Sequence, residues 1–160
     1  MPRVKKSKRF RYNLASTLKV REIRETLQKE VVTKARLKLR EEQEKLETIR
    51  VKLTEEHDKI LEMYSAGKPL DMGEIFLRKH RLELLKVEED EQVKAVEQAE
   101  ENKNKEEKKL LKAMQDRKIL EKDREKKNKL WRKLMDKEET KFLDEISTSR
   151  FFRSDRKGVG

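Results

Sequence analysis

The second half of the chain carries the pattern that most limits its fold. From 71 to 146, apolar residues recur at alternating steps of three and four between blocks of charge, with no proline or glycine after Gly73. The series that begins at Ile75 returns every seventh residue as far as Trp131, although several of its members are polar. This spacing predicts one long helix with a narrow apolar seam. Such a helix can bury its seam only against a partner helix.

The composition excludes a compact globule but permits long helices. Charged residues make up 48% of the chain and hydrophobic residues 33%, which is too little for a central core. A coiled coil needs only two apolar positions in seven. The chain has no cysteine, and this fits a reducing compartment. No apolar run approaches the ~20 residues that span a bilayer. We therefore expect a soluble cytosolic protein without membrane insertion.

The first half predicts a helix whose seam is less regular. Val20, Ile23 and Leu27 are its first heptad-like positions. From Leu27 the apolar residues come at steps of four, through Val31 to Leu39, and this predicts a stutter that locally unwinds a left-handed coiled coil. Beyond the stutter the heptad is regular again.

A single turn separates the two predicted helices. Gly67 is a natural left-handed stop, and Pro69 disfavours helix at the residue before it. Asp71 and Glu74 have the spacing of a capping box that opens the second helix. The predicted segments are a basic flexible arm at 1–11, a hairpin at 12–147 with helices near 12–66 and 71–147 and a turn at about 67–70, and a flexible tail at 148–160.

The sequence thus predicts an all-α fold, an antiparallel two-helix coiled-coil hairpin that is monomeric. Seam residues whose numbers sum to about 138 should meet, as for Leu39 and Ala99. The second helix is longer and should overhang the first by roughly three to five turns, or about 16 to 27 Å. Dimerisation through the second helix is the main competing geometry.

Positive charge is concentrated at the open end of the predicted hairpin. Residues 1–24 contain nine Lys or Arg and one Glu, net +8, and residues 117–133 contain nine Lys or Arg and three Asp or Glu, net +6. The turn end is nearly neutral. The open end should therefore attract a negatively charged partner.

Two segments, one near each end of the chain, carry a family resemblance. The first opens a long helix with an aromatic pair, two leucines four apart and a following arginine, namely Phe10, Tyr12, Leu14, Leu18 and Arg21. The second runs from 131 to 150, with acidic pairs at 138–139 and 144–145. Together with the single turn, these segments resemble the flagellar export protein family FliJ. Type III secretion stalk proteins and the rotary ATPase gamma subunit share the architecture.

The resemblance implies a non-catalytic stalk in the flagellar type III export apparatus. Members of the family are antiparallel two-helix coiled coils whose open end enters the ring of the hexameric export ATPase and activates it. They also connect the ATPase to the cytoplasmic domain of the export gate and handle export chaperones. The expected location is cytoplasmic, peripherally associated with the inner-membrane export apparatus.

The resemblance also indicates two binding surfaces. The predicted ATPase-ring-binding residues are Phe10, Leu14, Leu18, Arg21, Arg124, Lys127, Trp131, Arg132, Leu134, Met135 and Phe142. The predicted gate-binding residues lie toward the turn and are Ile49, Ile60, Tyr64, Ile75, Phe76 and His80.

Each surface has a simpler structural alternative. Beyond the first helix the seam continues and should form an uncovered stripe of Trp131, Leu134, Met135 and Phe142. Alternatively, Val4, Phe10 and Tyr12 fold back over that stripe. The turn aromatics Tyr64 and Phe76 either bind a partner or plug the end of the seam.

No residue pattern indicates catalysis, a cofactor or a metal. The four glycines, Gly67, Gly73, Gly158 and Gly160, form no phosphate-binding loop. His57 and His80 would approach each other across the hairpin, but they lack a third ligand and are better explained as surface residues. The remaining functional alternatives are a basic coiled coil that binds nucleic acid or another polyanion and a generic scaffold coiled coil. The few aromatics do not interleave with the basic runs, so no specific nucleic-acid site is expected.

Overall fold

The chain folds into two long helices, as expected for a sequence rich in Lys, Glu, Arg and Leu. The computed structural model describes residues 9–155, with side chains from 9 to 153. Helix α1 spans Ala15–Ser65, 51 residues, and α2 spans Met72–Asp155, 84 residues. Residues 9–155 include no strand. Tyr12 contacts Asp123 and Glu56 contacts Arg78, so the helices pack antiparallel. The predicted two-helix coiled-coil hairpin with a longer second helix is confirmed.

The turn between the helices follows its sequence signals. Gly67 has a φ of 62°, a left-handed conformation that glycine adopts without a steric penalty. A carboxylate oxygen of Asp71 accepts hydrogen bonds from the backbone N–H groups of Gly73 at 2.9 Å and Glu74 at 3.2 Å. Asp71 is therefore the N-cap of α2. The carboxylate of Glu74 pairs with Arg78 at 2.9 Å and does not return to the Asp71 backbone, so only the Asp71 half of the predicted capping box forms.

Helix α2 continues to Asp155 rather than ending at 147 as predicted. The tail had been predicted to begin at 148, next to a run of three serine and threonine residues at 147–149. In the structure their hydroxyls bond to carbonyls of the preceding turn, Thr148 to Asp144 at 2.7 Å and Ser149 to Ile146 at 2.9 Å. Such bonds let serine and threonine remain within a helix. Of the predicted flexible arm and tail, residues 1–8 and 156–160 lie outside the described part.

The chain divides into two compact units. One, here called the turn unit, contains residues 24–113, and the other, the terminal unit, contains residues 1–23 and 114–160. Both helices contribute to each unit. In the turn unit the buried apolar residues are Val32, Ala35, Ile49, Ile60 and Ile75.

The α1 seam in the turn unit is a regular heptad, and it includes glutamates. Glu25, Glu42 and Glu56 are only 4%, 7% and 5% exposed. In contrast, Leu27 and Val31 are 55% and 42% exposed. The predicted stutter, which relied on these two apolar residues, is therefore wrong.

The same correction applies to α1 within the terminal unit. Val20 and Ile23 were expected in the seam but are exposed, whereas Leu18 is buried and Arg21 half-buried. Arg21 remains near the helix interface because it pairs with Asp116 of α2 at 2.9 Å. From Val20 to Val31 the apolar residues of α1 thus indicated the wrong face, whereas the predicted seam residues from Val32 to Met63 lie in the observed seam.

The α2 seam agrees with the prediction through most of its length. Its partly buried members in the turn unit recur at the predicted steps of three and four from Leu82 to Leu110. Polar contacts join the first half of the hairpin to α2. The two residue numbers of each contact add up to between 132, for Tyr12 with Leu120, and 143, for Arg36 with Glu107. The contacts between seam residues, Gln28 with Glu106 and Gln92 with Glu42, both sum to 134, so the seam pairs about one turn away from the predicted sum of about 138.

Candidate functional site

The terminal unit contains an aromatic cleft where the N-terminal segment meets α2. The rings of Phe10 and Trp131 lie 6.1 Å apart, centroid to centroid, at an interplanar angle of 52°. The cleft has a volume of about 430 Å³ and is lined by Arg9, Phe10, Arg11, Trp131, Leu134, Met135 and Glu138. Its lining combines apolar surface with charge of both signs.

Tyr12 anchors the N-terminal segment beside this cleft. Its side chain is buried, and its hydroxyl donates to a carboxylate oxygen of Asp123 at 2.7 Å. The ammonium of Lys127 lies 5.4 Å from the centre of the Tyr12 ring and 2.9 Å from Asp123. Burial and the bond to Asp123 raise the pKa of Tyr12. Hydrogen bonds from Lys127 and Tyr12 lower the pKa of Asp123, so both groups keep the protonation state that this bond requires near neutral pH.

The fold-back alternative accounts for part of the predicted stripe. Phe10 packs on Trp131, which is half-buried, and Tyr12 packs on α2. Val4 lies outside the described residues. Leu134 and Phe142 remain 59% and 57% exposed. The uncovered stripe therefore begins after Trp131.

Beyond the cleft, no described segment of the chain covers α2. From 139 to 153 every side chain except Ile146 is exposed, and the helix runs on to Asp155. This overhang of 17 residues, from 139 to 155, is about 26 Å long. Sequence reasoning missed its last apolar members, Phe151 and Phe152, whose rings contact edge to face with centroids 6.3 Å apart. The adjacent phenylalanines were the available signal, but the predicted helix end excluded them.

The other predicted ring-binding residues also lie in the terminal unit. Leu18 is buried in the seam and Leu14 is 36% exposed. Arg124 and Arg132 are exposed on α2, and Met135 lines the cleft. The structure thus brings the predicted set into one unit, but only part of it faces solvent.

Several apolar side chains near the turn are exposed, and we call this set the turn surface. Its members are exposed by 45% to 73% and are Leu61, Tyr64, Leu70, Met72, Phe76 and Leu77. Phe76 is the most exposed, at 73%, and Tyr64 is 51% exposed. Neither fills the seam, so their positions disagree with the plug alternative.

The predicted gate-binding residues divide into two groups. Ile49, Ile60 and Ile75 are buried between the helices and cannot meet a partner while the hairpin is closed. Tyr64 and Phe76 belong to the turn surface. His80 is also exposed, with its ring nitrogen 3.8 Å from Glu83.

The buried seam glutamates were not predicted as a group. Hydrogen bonds from Lys38, Gln92 and Lys45 lower the pKa of Glu42 to about 2, although burial opposes the shift. Burial likewise favours a higher pKa for Glu56, but its bonds to Lys59 and Arg78 outweigh burial and lower the pKa. A buried charge that has several partners is tolerated in the seam.

The described residues support neither a metal site nor a membrane-spanning helix. Within 9–155, no group of three or more His, Cys, Asp or Glu side chains is arranged to hold a metal ion. Neither described helix is long and apolar enough to cross a membrane.

Comparison with known proteins identifies the family. The family model for flagellar FliJ protein matches residues 10–156. Comparisons with curated proteins and with solved structures gave no match. The matched range contains both helices, the turn surface and every lining residue of the aromatic cleft except Arg9. The chain therefore belongs to the FliJ family and is a component of the flagellar protein-export apparatus.

Proposed function

We propose that this protein is a non-catalytic stalk that binds and activates the hexameric export ATPase and couples it to the export gate. The terminal unit binds the ATPase ring, and the turn surface binds the cytoplasmic domain of the gate protein. Export chaperones are further partners. The protein acts in the cytoplasm, peripherally associated with the inner-membrane export apparatus, and binds its partners as a monomer.

The uncovered stripe of α2 is the observation that carries ring binding. Leu134 and Phe142 are more than half exposed, although both continue the seam that is covered elsewhere in the chain. Apolar side chains in such a row usually mark a partner site. Residues 117–133, just before the stripe, carry a net charge of +6. Acidic loops lining a ring would complement this charge and speed association in a salt-sensitive way.

A double substitution, Leu134→Ala with Phe142→Ala, tests ring binding. The control is Leu84→Ala with Leu111→Ala, two α2 leucines that are 58% and 57% exposed in the turn unit. The stripe variant should need about tenfold more protein for half-maximal ATPase stimulation, equal to the loss of roughly 1.4 kcal/mol. The control should stimulate normally. Equal effects in the two variants, or none, would contradict the proposal.

Trp131→Ala tests the cleft at the start of the stripe. We expect lower ATPase stimulation and poorer ring assembly, since buried tryptophans often contribute ~2 kcal/mol or more to an interface. Because Phe10 packs on Trp131, circular dichroism must show that helicity is retained. Normal stimulation by a folded variant would exclude the cleft from the ring interface.

Phe76→Ala tests gate binding separately. The loss of this 73% exposed ring should weaken binding to the isolated gate domain without changing helicity or ATPase stimulation. Leu84→Ala is again the control. Unchanged gate affinity would remove Phe76 from the proposed surface.

Salt-dependent binding to random duplex DNA tests the rival polyanion function. If the protein bound DNA more tightly than the ATPase at the same salt concentration, the export proposal would fail.

A further inference from the structure

Two equivalent polar contacts hold the helices together in the turn unit. In the first, the side-chain amide of Gln28 on α1 donates to the backbone carbonyl of Glu106 on α2 at 3.1 Å and to its carboxylate at 2.7 Å. In the second, the amide of Gln92 on α2 donates to the carbonyl of Glu42 on α1 at 3.0 Å and to its carboxylate at 2.6 Å. We call each contact a Gln–Glu clamp.

Each clamp includes a lysine at the equivalent position, three residues after the glutamate. Lys109 lies three residues after Glu106 and 2.7 Å from its carboxylate. Lys45 lies three residues after Glu42 and 3.0 Å from its carboxylate. The two clamps therefore use the same three residue types with the roles of α1 and α2 exchanged.

The same equivalence between α1 and α2 extends to most of the surrounding seam. Adding 64 to an α1 position from 25 to 46 gives an α2 position from 89 to 110. Six of the seven seam residues are then identical, and only Leu39 differs, because position 103 is lysine. The identical pairs are Glu25 with Glu89, Gln28 with Gln92, Val32 with Val96, Ala35 with Ala99, Glu42 with Glu106 and Leu46 with Leu110.

The repeat gives the turn unit a local two-fold symmetry. Ala35 is midway between Gln28 and Glu42, and Ala99 is midway between Gln92 and Glu106. A two-fold rotation about an axis that passes near Ala35 and Ala99 places each clamp on the position of the other. Polar seam residues normally specify both the register of a coiled coil and the identity of its partner. Here they specify an antiparallel register, but the same residues are present on either helix.

We propose that a second copy of this chain can replace the intramolecular partner of each helix. In the exchanged dimer α1 pairs with α1 of the second copy about Ala35, and α2 pairs with α2 about Ala99. Two hairpins contain four clamps in all, and the dimer forms the same number with identical residue types. Ala35 and Ala99 lie at the same height along each hairpin, so both helix pairs can form between the same two copies and no helix is left to bind a third copy. The two turns lie at opposite ends of the dimer.

Several contacts across the hairpin are lost in the exchanged dimer and so favour the hairpin, among them Arg36 with Glu107 and Tyr12 with Asp123. The carboxylate of Glu56 pairs across the helices with Arg78 at 3.0 Å and Arg81 at 3.4 Å. The repeat does not preserve this contact, since the position 64 residues after Glu56 is Leu120. The hairpin is therefore the main state, and removal of the Glu56 charge should increase the dimer.

Single-cysteine variants of the full chain test the pairing directly, because the sequence contains no cysteine. Two antiparallel α1 helices place position 35 beside its own copy, so Ala35→Cys should give a cross-linked dimer with a short bismaleimide. The matched control is Ile49→Cys, another buried seam residue. It lies 14 residues away, so the two introduced thiols at position 49 would be about 42 Å apart and should not react.

The expected result is about tenfold more cross-linked dimer for Ala35→Cys than for Ile49→Cys, and a further tenfold rise when Glu56→Gln is added. Equal cross-linking of the two variants would indicate parallel or random association and overturn the proposal. The proposal would also be overturned if Ala35→Cys gave no cross-linked dimer although circular dichroism showed intact helices. Intermolecular cross-linking seen only in the Ala35→Cys, Ala99→Cys double variant would show that α1 pairs with α2 of the second copy, which also contradicts it. The outcome does not depend on ring or gate binding.

Discussion

The turn unit and the terminal unit hold the same two helices together by different means. In the turn unit, reciprocal Gln–Glu clamps lie between buried aliphatic residues. In the terminal unit, the aromatic residues Phe10 and Tyr12 fasten the N-terminal segment and an ion pair between Arg21 and Asp116 joins the helices, after which α2 continues without described cover. The difference teaches that polar pairing fixes register where helices must stay together, whereas uncovered apolar surface marks where another molecule is to bind.

The largest difference should appear between two adjacent residues of the turn unit. Ile75 is 2% exposed in the seam, whereas Phe76 is 73% exposed on the turn surface. Ile75→Ala should lower the free energy of unfolding by about 2–5 kcal/mol, because it leaves a cavity between the helices. Phe76→Ala should change it by less than about 0.5 kcal/mol. Urea denaturation followed by circular dichroism measures both, and equal losses would show that Phe76 is structural.

As the pH falls, the helices of the turn unit should separate before those of the terminal unit. In the turn unit the pKa values of Glu42, Glu56, Glu106 and Glu107 are lowered, that of Glu42 to about 2. In the terminal unit, among described acidic residues, only Asp123 shows a lowered value. Because an unfolded Glu titrates near ~4.3, these groups stabilise the fold above that pH. Their contribution is lost as the pH falls through the lower folded-state pKa values.

The measurement is the melting temperature from pH 7 to pH 2, with hydrogen exchange to locate the opening. Glu42→Gln should reduce the slope of melting temperature against pH, since this variant has one fewer carboxylate to protonate. Glu44→Gln is the control, because Glu44 is 68% exposed. If exchange rose first in the terminal unit, the comparison between the units would be wrong.

Tyr12→Phe should have a smaller effect, confined to the terminal unit. The substitution removes the hydroxyl that donates to Asp123 at 2.7 Å and keeps the buried ring. We expect a loss of about 1 kcal/mol, typical of a hydrogen bond. Tyr64→Phe, at a tyrosine that is 51% exposed, should be neutral. Equal stability of the two variants in urea denaturation would mean that the Asp123 contact does not hold the N-terminal segment.

The smallest effect should be a spectroscopic one at the cleft. Trp131 is the only tryptophan, and Phe10 packs on it. Phe10→Ala should expose Trp131 to water and shift its fluorescence to longer wavelength, with little change in helicity. Phe76→Ala, in the turn unit, should leave the spectrum unchanged. An unshifted spectrum for Phe10→Ala would indicate that the two rings do not pack in solution.

Sequence reasoning succeeded where apolar spacing and turn chemistry decide the structure. The α2 seam, the stop at Gly67 and the cap at Asp71 follow from local rules that need no knowledge of the partner helix. The antiparallel pairing follows from the single turn. These features determine the fold class.

Sequence reasoning failed where a contact across the helices decides the structure. Leu27 and Val31 were assigned to the seam because they are apolar, but Glu25 and Gln28 lie nearer to it. Gln28 is stabilised there by Glu106 of α2, a partner that the spacing of α1 does not reveal. A search for the 64-residue repeat would have found the true seam. The cleft was only partly predicted, since the packing of Phe10 on Trp131 depends on the path of the N-terminal segment.

The buried glutamates also matter while the protein is being made. Helix α1 is synthesised before its partner, and at about 5–20 residues per second the 84 residues of α2 take roughly 4 to 17 s to follow. Throughout that interval the α1 seam faces water beside other nascent chains. Glu25, Glu42 and Glu56 interrupt it with charge and act as gatekeepers against aggregation. We therefore expect Glu42 and Glu56, which later pair with α2, first to keep a solitary helix soluble on the ribosome.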